Sequence, residues 1–280
     1  MPKLRIVTIS DTHNASPGSG FSLPRGDILI HAGDLTNNGT PGEIRKALTW
    51  LRETDYECKI VIGGNHDIAL DENFPDQSDG AGAVEVREAI KGDEKIIYLE
   101  HESKIVKVKG TEITLFGSPY SPASAEKKWA FQYLPDQAEE LWSSTPTDTT
   151  ILITHTPPAG HLDSSAHWTR GGCPALTNAL SRIRPALHVC GHCHEGRGGR
   201  VVCWSDEAEA ETGVLVREWQ DPGSGNKKQS LFDLTGSRAG AHALQLGKET
   251  AIVNTSIMAK SYGRGVKSFN KPIVVDIELP

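Results

Sequence analysis

The chain has no long hydrophobic run: no stretch approaches the roughly 18 to 20 apolar residues that a membrane span requires. It also lacks a basic excess. Its 29 lysines and arginines stand against 36 aspartates and glutamates, leaving a formal charge of −7. Bulk charge therefore does not favour duplex nucleic acid, where counterion release rewards a basic surface. A small phosphate-bearing substrate held through a bound cation is not excluded by that balance. Cysteine is scarce, with 5 in 280 residues, an odd number that fits free thiols better than a disulfide framework. The opening "MPKLRIVTIS" enters a strand-like run without a basic n-region, a long apolar h-region or a small-residue cleavage site. A cytoplasmic protein with no membrane partner and reduced thiols is the expectation.

What is present is a rhythm of short apolar, β-branched runs, each ending in a polar cluster. "LRIVTIS" (4–10) leads into Asp11-Thr12-His13, "DILIHAG" (27–33) into Asp34, and "KIVIGG" (59–64) into Asn65-His66-Asp67. "ILIT" (151–154) leads into His155, and "ALHVCG" (186–191) into His192-Cys193-His194. Such near-continuous Val/Ile/Leu runs predict strands buried on both faces. Helical periodicity lies between them, over 40–54 with Pro41 in the first turn, 82–92, 134–144 and 173–183. This is α/β organisation with polar clusters at the C-terminal ends of strands. Residues 95–117 read instead as consecutive strands, a hairpin or meander with turns at His101-Glu102 and Lys109-Gly110. Runs at 200–204, 251–258 and 272–279 predict further strands, and two stacked sheets flanked by helices account for the mixture. One domain over 1–280 is expected, with an insertion or long excursion at about 205–248.

Asp11, His13, Asp34, Asn65, His66, His155, His192 and His194 all follow predicted strands, and five of the chain's eleven histidines are among them. Parallel strands bring their C-terminal edges together, so clusters far apart in sequence can converge. The mixed N/O set is rich in imidazole, which suits Mn, Fe, Zn, Ni or Co rather than Ca or Mg alone. Asp11, His13, Asp34, Asn65, His155, His192 and His194 suffice for two open sites if one carboxylate bridges. Two cations ~3.5–4 Å apart generate hydroxide near neutral pH and clamp the oxygens of an in-line displacement, which suits hydrolysis at phosphorus. "HVCGHCHEGRGG" (188–199) also contains C-x-x-C, a redox spacing, and C-x-x-C-H, a haem-attachment pattern. Three glycines within 196–199 make a poor helix start for a redox pair, and covalent haem generally needs export. Cys190 and Cys193 are expected to be small apolar fillers, leaving His192 and His194 as the working residues.

Asp11-x-His13, Gly33-Asp34, Gly64-Asn65-His66-Asp67, His155 and Gly191-His192-x-His194 resemble, in order and approximate spacing, the blocks of the calcineurin-like metallophosphoesterase superfamily. "HTPPAGHLD" (155–163), "FGSPYSP" (116–122) and the stretch from "VNTSIMAK" (253–260) to "PIVVDIEL" (272–279) are similar to the metallophosphoesterase-domain-containing subgroup, the 239 family. The likeness covers nearly the whole chain except roughly 205–248. It implies a four-layer αββα sandwich of two mixed sheets and a two-metal phosphoesterase, with manganese the foremost metal. By that resemblance Asp11, His13, Asp34 and His194 would hold one metal, and a bridging Asp34 with Asn65, His155 and His192 the other. Attack would come from a hydroxide bridging the metals. His66 would contact the phosphoryl oxygen and protonate or stabilise the leaving group, with Asp67 orienting its ring. Some relatives that have lost a histidine of the Gly-His-x-His block bind nucleotide with feeble activity; both are present here, which favours an active enzyme.

The expected activity is hydrolysis of a phosphodiester or phosphomonoester of a small, nucleotide-like or other organic substrate. Two alternatives stand beside it: a nucleotide-binding scaffold with little turnover, and a specialised metallohydrolase acting on a non-nucleotide ester. His161, Tyr120 and Arg170, beside Gly171-Gly172, are candidate substrate contacts. His31 and His188 lie inside apolar strands and are expected to be satisfied core residues. His101, His167 and His242 read as surface or loop positions.

Overall fold

The computed structural model describes residues 1–74, 80–123, 128–166, 171–205, 213–237, 242–259 and 268–280. The β-branched runs form strands that alternate their side chains between two buried faces. Six strands make the first sheet: β1 (Lys3–Ile9), β2 (Ile28–Ala32), β3 (Cys58–Ile62), β4 (Ile97–Leu99), β13 (Ser230–Asp233) and β15 (Ile273–Glu278). Their spatial order is β13-β15-β1-β2-β3-β4, with β1 to β4 parallel and β15 antiparallel to β1. Seven strands make the second sheet: β5 (Glu102–Val108), β6 (Thr111–Ser118), β9 (Ile151–Thr154), β10 (Leu187–Cys190), β11 (Gly198–Cys203), β12 (Val214–Glu218) and β14 (Glu249–Asn254). These run in the order β12-β11-β14-β10-β9-β6-β5, with a parallel centre of β14, β10, β9 and β6. A two-residue pairing of β7 (Ser121–Pro122) with β8 (Gln132–Tyr133) stands apart.

Among the described residues, four helices cover the outer faces: α1 (Pro41–Glu53), α2 (Gly80–Lys91), α3 (Ala138–Ser143) and α4 (Pro174–Ile183). The period-2 alternation of each central strand explains the layering. In β2, Ile28 and Ile30 enter the core between the sheets while Leu29 faces α1 and α2 among Ile44, Leu48 and Val86. In β9, Ile151 and Ile153 enter the same inter-sheet core while Leu152 packs with Trp142, Leu176 and Leu180 of α3 and α4. The result is the expected αββα sandwich. Helix α1 starts where Thr40 and Glu43 form a reciprocal capping box ahead of Pro41. No helix among the described residues is long and apolar enough to cross a membrane.

Two stretches depart from the expectation. Residues 95–117 are not one meander. β5 and β6 form the hairpin, turning at Lys109 and Gly110 with φ of 49° and 85°, whereas β4 pairs in parallel with β3 in the other sheet. The chain changes sheets at His101, which takes a left-handed φ of 59°. Within the 205–248 excursion, β12 and β13 each add an edge strand, one to either sheet.

Candidate metal centre

The parallel strands end at one rim, and hydrogen bonds between their loops lock that rim together. The Asp11 amide donates to the Gly33 carbonyl, the His155 amide to Ser118, the Gly191 amide to His155 and the Thr255 amide to Cys190. An isolated parallel bridge between Ser10 and Ser256 joins the two sheets across the rim. Leaving these strands, Asp11, His13, Asp34 and His192 take φ of 55°, 43°, 55° and 66°. Left-handed backbone in non-glycine residues is costly and concentrates at functional sites. Here it turns each chain sharply, so that side chains from different strands point at each other. Gly33 permits a close approach: a Cβ there would lie 2.6 Å from His155 Nδ1.

The donor atoms fall into two neighbouring groups. His13 Nε2 lies 3.4 Å from His194 Nε2, which lies 3.3 Å from Asp11 Oδ1. Opposite, His155 Nε2 lies 3.4 Å from Asp34 Oδ1 and 3.0 Å from Asn65 Oδ1, itself 2.8 Å from His192 Nδ1. Asp34 stands between the groups, with Oδ2 turned to His13 Nε2 at 3.8 Å. Donors held at about 2.1 Å from one ion stand about 3.0–3.4 Å apart at octahedral or tetrahedral angles, so the spacing fits ligands of shared ions. Hydrogen placement points the same way. His13 Nδ1 donates to the Thr36 carbonyl and His155 Nδ1 to the Ala32 carbonyl, both at 3.0 Å. A carbonyl only accepts, so each ring carries a proton on Nδ1 and turns Nε2 inward. Those Nε2 atoms face carboxylate and amide oxygens, an array that a cation satisfies. His194 Nδ1 is buried without a hydrogen-bond partner.

The electrostatics suit ligands. Asp11, Asp34 and His155 are at most 2% exposed. Burial pushes the carboxyl pKa values up, but His194 beside Asp11 and His155 beside Asp34 hold both carboxylates well below their usual range. Burial lowers His13 to about 4 and, helped by His155, His192 to about 3, so both rings are neutral. His155 is raised to about 9: burial opposes its charge, and Asp34 followed by Asp11 outweighs it. A metal ion displaces such a proton when it binds.

Residues 4–196 match the family model described as calcineurin-like phosphoesterase. The chain belongs to the calcineurin-like phosphoesterase family. Within that family it is 36% identical over 217 residues to the human metallophosphoesterase domain-containing protein 1, covering 69% of this chain and 61% of that protein. It is 43% identical over 205 residues to a probable rhamnogalacturonate lyase C of Emericella nidulans, covering 72% of this chain and 18% of that protein. The chain thus spans under two thirds of these relatives. Among solved structures, a phosphopantetheinyl hydrolase from Mycobacterium tuberculosis superposes with a TM-score of 0.47 at 18% identity, over 72% of this chain and 85% of that one.

His66 is half-buried, and its Nδ1 donates to the Asn37 carbonyl at 2.7 Å. Its ring lies 4.2 Å from that of Trp129 and 4.8 Å from that of His13. Asp67 does not orient it. That carboxylate is fully buried and accepts from the amides of Leu35, Thr36 and Gly64 and from the Thr36 hydroxyl. Its role is to tie the loop after β3 to the loop after β2, because three amides converge on it. The His161 ring lies 6.2 Å from that of Trp204, and its Nδ1 is 3.5 Å from Arg200. Tyr120 packs between His101 and Phe131, so Trp129 and not Tyr120 is the aromatic against His66. Arg170 lies outside the described residues. Cys190 and Cys193 are free and fully buried, and burial pushes both thiols up, which removes the thiolate a redox site needs. Residues that went unnoticed in the sequence are Ser10 and Ser256, whose hydroxyls meet Asp11, and Asn37, which acts through its backbone carbonyl. Nothing local in the sequence ties Ser256 to Asp11.

Proposed function

We propose that this chain is a phosphoesterase that uses two divalent transition metal ions, manganese foremost, to hydrolyse a small phosphodiester or phosphomonoester. Asp11, His13, Asp34 and His194 would hold one ion, and Asp34, Asn65, His155 and His192 the other. When bound, such a pair supplies hydroxide near neutral pH and neutralises charge on the phosphoryl oxygens. The chain's own contribution is orientation and proton handling. The Asn37 carbonyl takes the Nδ1 proton of His66 as its hydrogen bond and leaves Nε2 free to hand a proton to the departing oxygen. Trp129 backs that ring, and the half-exposed His66 and His192 mark the open side of the rim.

The observation that carries this reading is the inward-facing set of imidazole nitrogens and carboxylate and amide oxygens around Asp34, spaced as ligands of shared ions are. The test is elemental analysis of protein purified without chelator, paired with phosphate release from a panel of diesters and monoesters. Two metal equivalents with turnover of either class are expected. Metal-replete protein that binds AMP but cleaves neither class would instead make it a nucleotide-binding scaffold.

A further inference from the structure

We infer that Ser10 and Ser256 are positioning residues that reserve one oxygen of Asp11 for metal; this rests on the two-metal reading above. The Asp11 carboxylate is fully buried, as are both serines. Its Oδ2 accepts from the Ser10 hydroxyl and, at 2.7 Å, from the Ser256 hydroxyl. A carboxylate oxygen has two lone-pair positions, and these hydroxyls make the two short bonds to Oδ2; the His192 amide, shared with Oδ1, is a longer third contact. Oδ1 is the oxygen 3.3 Å from His194 Nε2. The His192 amide lies 3.2 Å from both oxygens and steadies the plane of the group. Asp11 is thereby presented through a single oxygen.

The two hydroxyls arrive from different sheets. Ser10 follows β1, and Ser256 follows β14, 246 positions later in chain order. Backbone bonds from the Ser10 amide to the Thr255 carbonyl and from the Ile257 amide to the Ser10 carbonyl, at 3.2 and 3.0 Å, hold them side by side. Ser256 is oriented in turn because its amide donates to Asn254 Oδ1 at 3.1 Å. Asn254 also donates to the Leu162 and Cys193 carbonyls, so the same segment fixes the loop that carries His192 and His194. Gly191 completes the clamp. Any Cβ there would collide with the Ser10 hydroxyl and come within 2.6 Å of Asp11 Oδ2, so the loop can close over the carboxylate only with glycine. Groups that orient a metal ligand typically change metal affinity by about 10–100-fold when removed.

The experiment is equilibrium dialysis of manganese with wild type, Ser256→Ala, Ser10→Ala and Thr255→Val, with folding checked by near-ultraviolet circular dichroism. Thr255 is the control: it is equally buried in the same segment, but its hydroxyl bonds to Thr8 and not to Asp11. Ser256→Ala is expected to weaken one of the two manganese sites by about 10–100-fold and to leave the other unchanged. Thr255→Val should match wild type, and Ser256→Thr, which keeps the hydroxyl, should recover most of the loss. If Ser256→Ala does not fold, Ser10→Ala carries the same expectation. Wild-type affinity in the folded serine variants, or an equal loss in Thr255→Val, overturns the clamp while leaving the two-metal reading intact. A wild-type protein that takes up no manganese overturns both.

Discussion

Replacing His66 with alanine separates proton transfer from metal binding. The ring is held by the Asn37 carbonyl at 2.7 Å and by the Trp129 face at 4.2 Å, and its backbone amide donates to Asp34 Oδ1 at 2.8 Å. Truncation removes the first two and spares the third, because the amide belongs to the main chain. Asp34 therefore keeps its orientation. Losing a ring–ring contact at a half-buried position destabilises by about 1 kcal/mol, or roughly 2 °C in Tm for a chain of this size. The rate should fall about 10²- to 10⁴-fold, the usual worth of a proton-transfer group, which is about 2.7–5.4 kcal/mol of barrier at 1.36 kcal/mol per decade. The assay compares kcat for an aryl and an alkyl ester of the same phosphate, alongside metal content. A poor alkyl leaving group needs the proton more, so the loss should be concentrated there. His66 also forms a trio with His13 and Asp34 whose ligand atoms lie within 4.8 Å of one another. Loss of a metal equivalent in the variant would make His66 a ligand, and equal losses on both esters would refute its role toward the leaving group.

Other substitutions test neighbouring parts of the account. Asp34→Asn keeps the acceptor for the His66 amide but removes the charge facing both His155 and His13. A unit charge at ~4 Å in a partly buried setting is worth about 4 kcal/mol, so elemental analysis should find most metal gone and turnover at least ~10³-fold lower; two retained equivalents would contradict the bridging position. Cys190→Ser should turn over substrate within about twofold of wild type while losing ~1–3 kcal/mol in urea unfolding from a buried hydroxyl, and collapse of activity at full metal content would revive a role for the thiols. Burial, with His161 nearby, lowers the His188 pKa to about 3, below the ordinary 6.5 of an unfolded histidine. The folded chain thus binds fewer protons between those values, and stability falls as pH drops below 6.5, by up to about 1.4 kcal/mol per unit. Urea midpoints at pH 7.5 and 5.5 should differ less in His188→Gln than in wild type; identical slopes would show that His188 charges freely in the fold.

Much of the scaffold was legible because its signals are local. The run 151–154 became β9 over the same residues, and the helix expected over 40–54 spans Pro41–Glu53, opened by the Thr40–Glu43 box. Where neighbours in space decide, the local signal fell short. Residues 134–144 carry helical periodicity, yet the chain makes a 3-10 turn at Pro135–Gln137 before the short α3. Residues 97–99 read as part of a meander because sequence cannot say which of two sheets offers the open edge.

The order of acidic and imidazole residues after strands, and hence the family and the candidate ligands, was determined by the linear sequence, since each block is a run of adjacent residues with its own turn chemistry. What only the tertiary structure decided is which atoms face one another. Asp67 turned to three loop amides, His66 found the Asn37 carbonyl, and the Ser256 hydroxyl reached Asp11 from the far end of the chain. Such pairings depend on how two sheets pack and how loops close, and no short-range pattern of residues encodes that geometry.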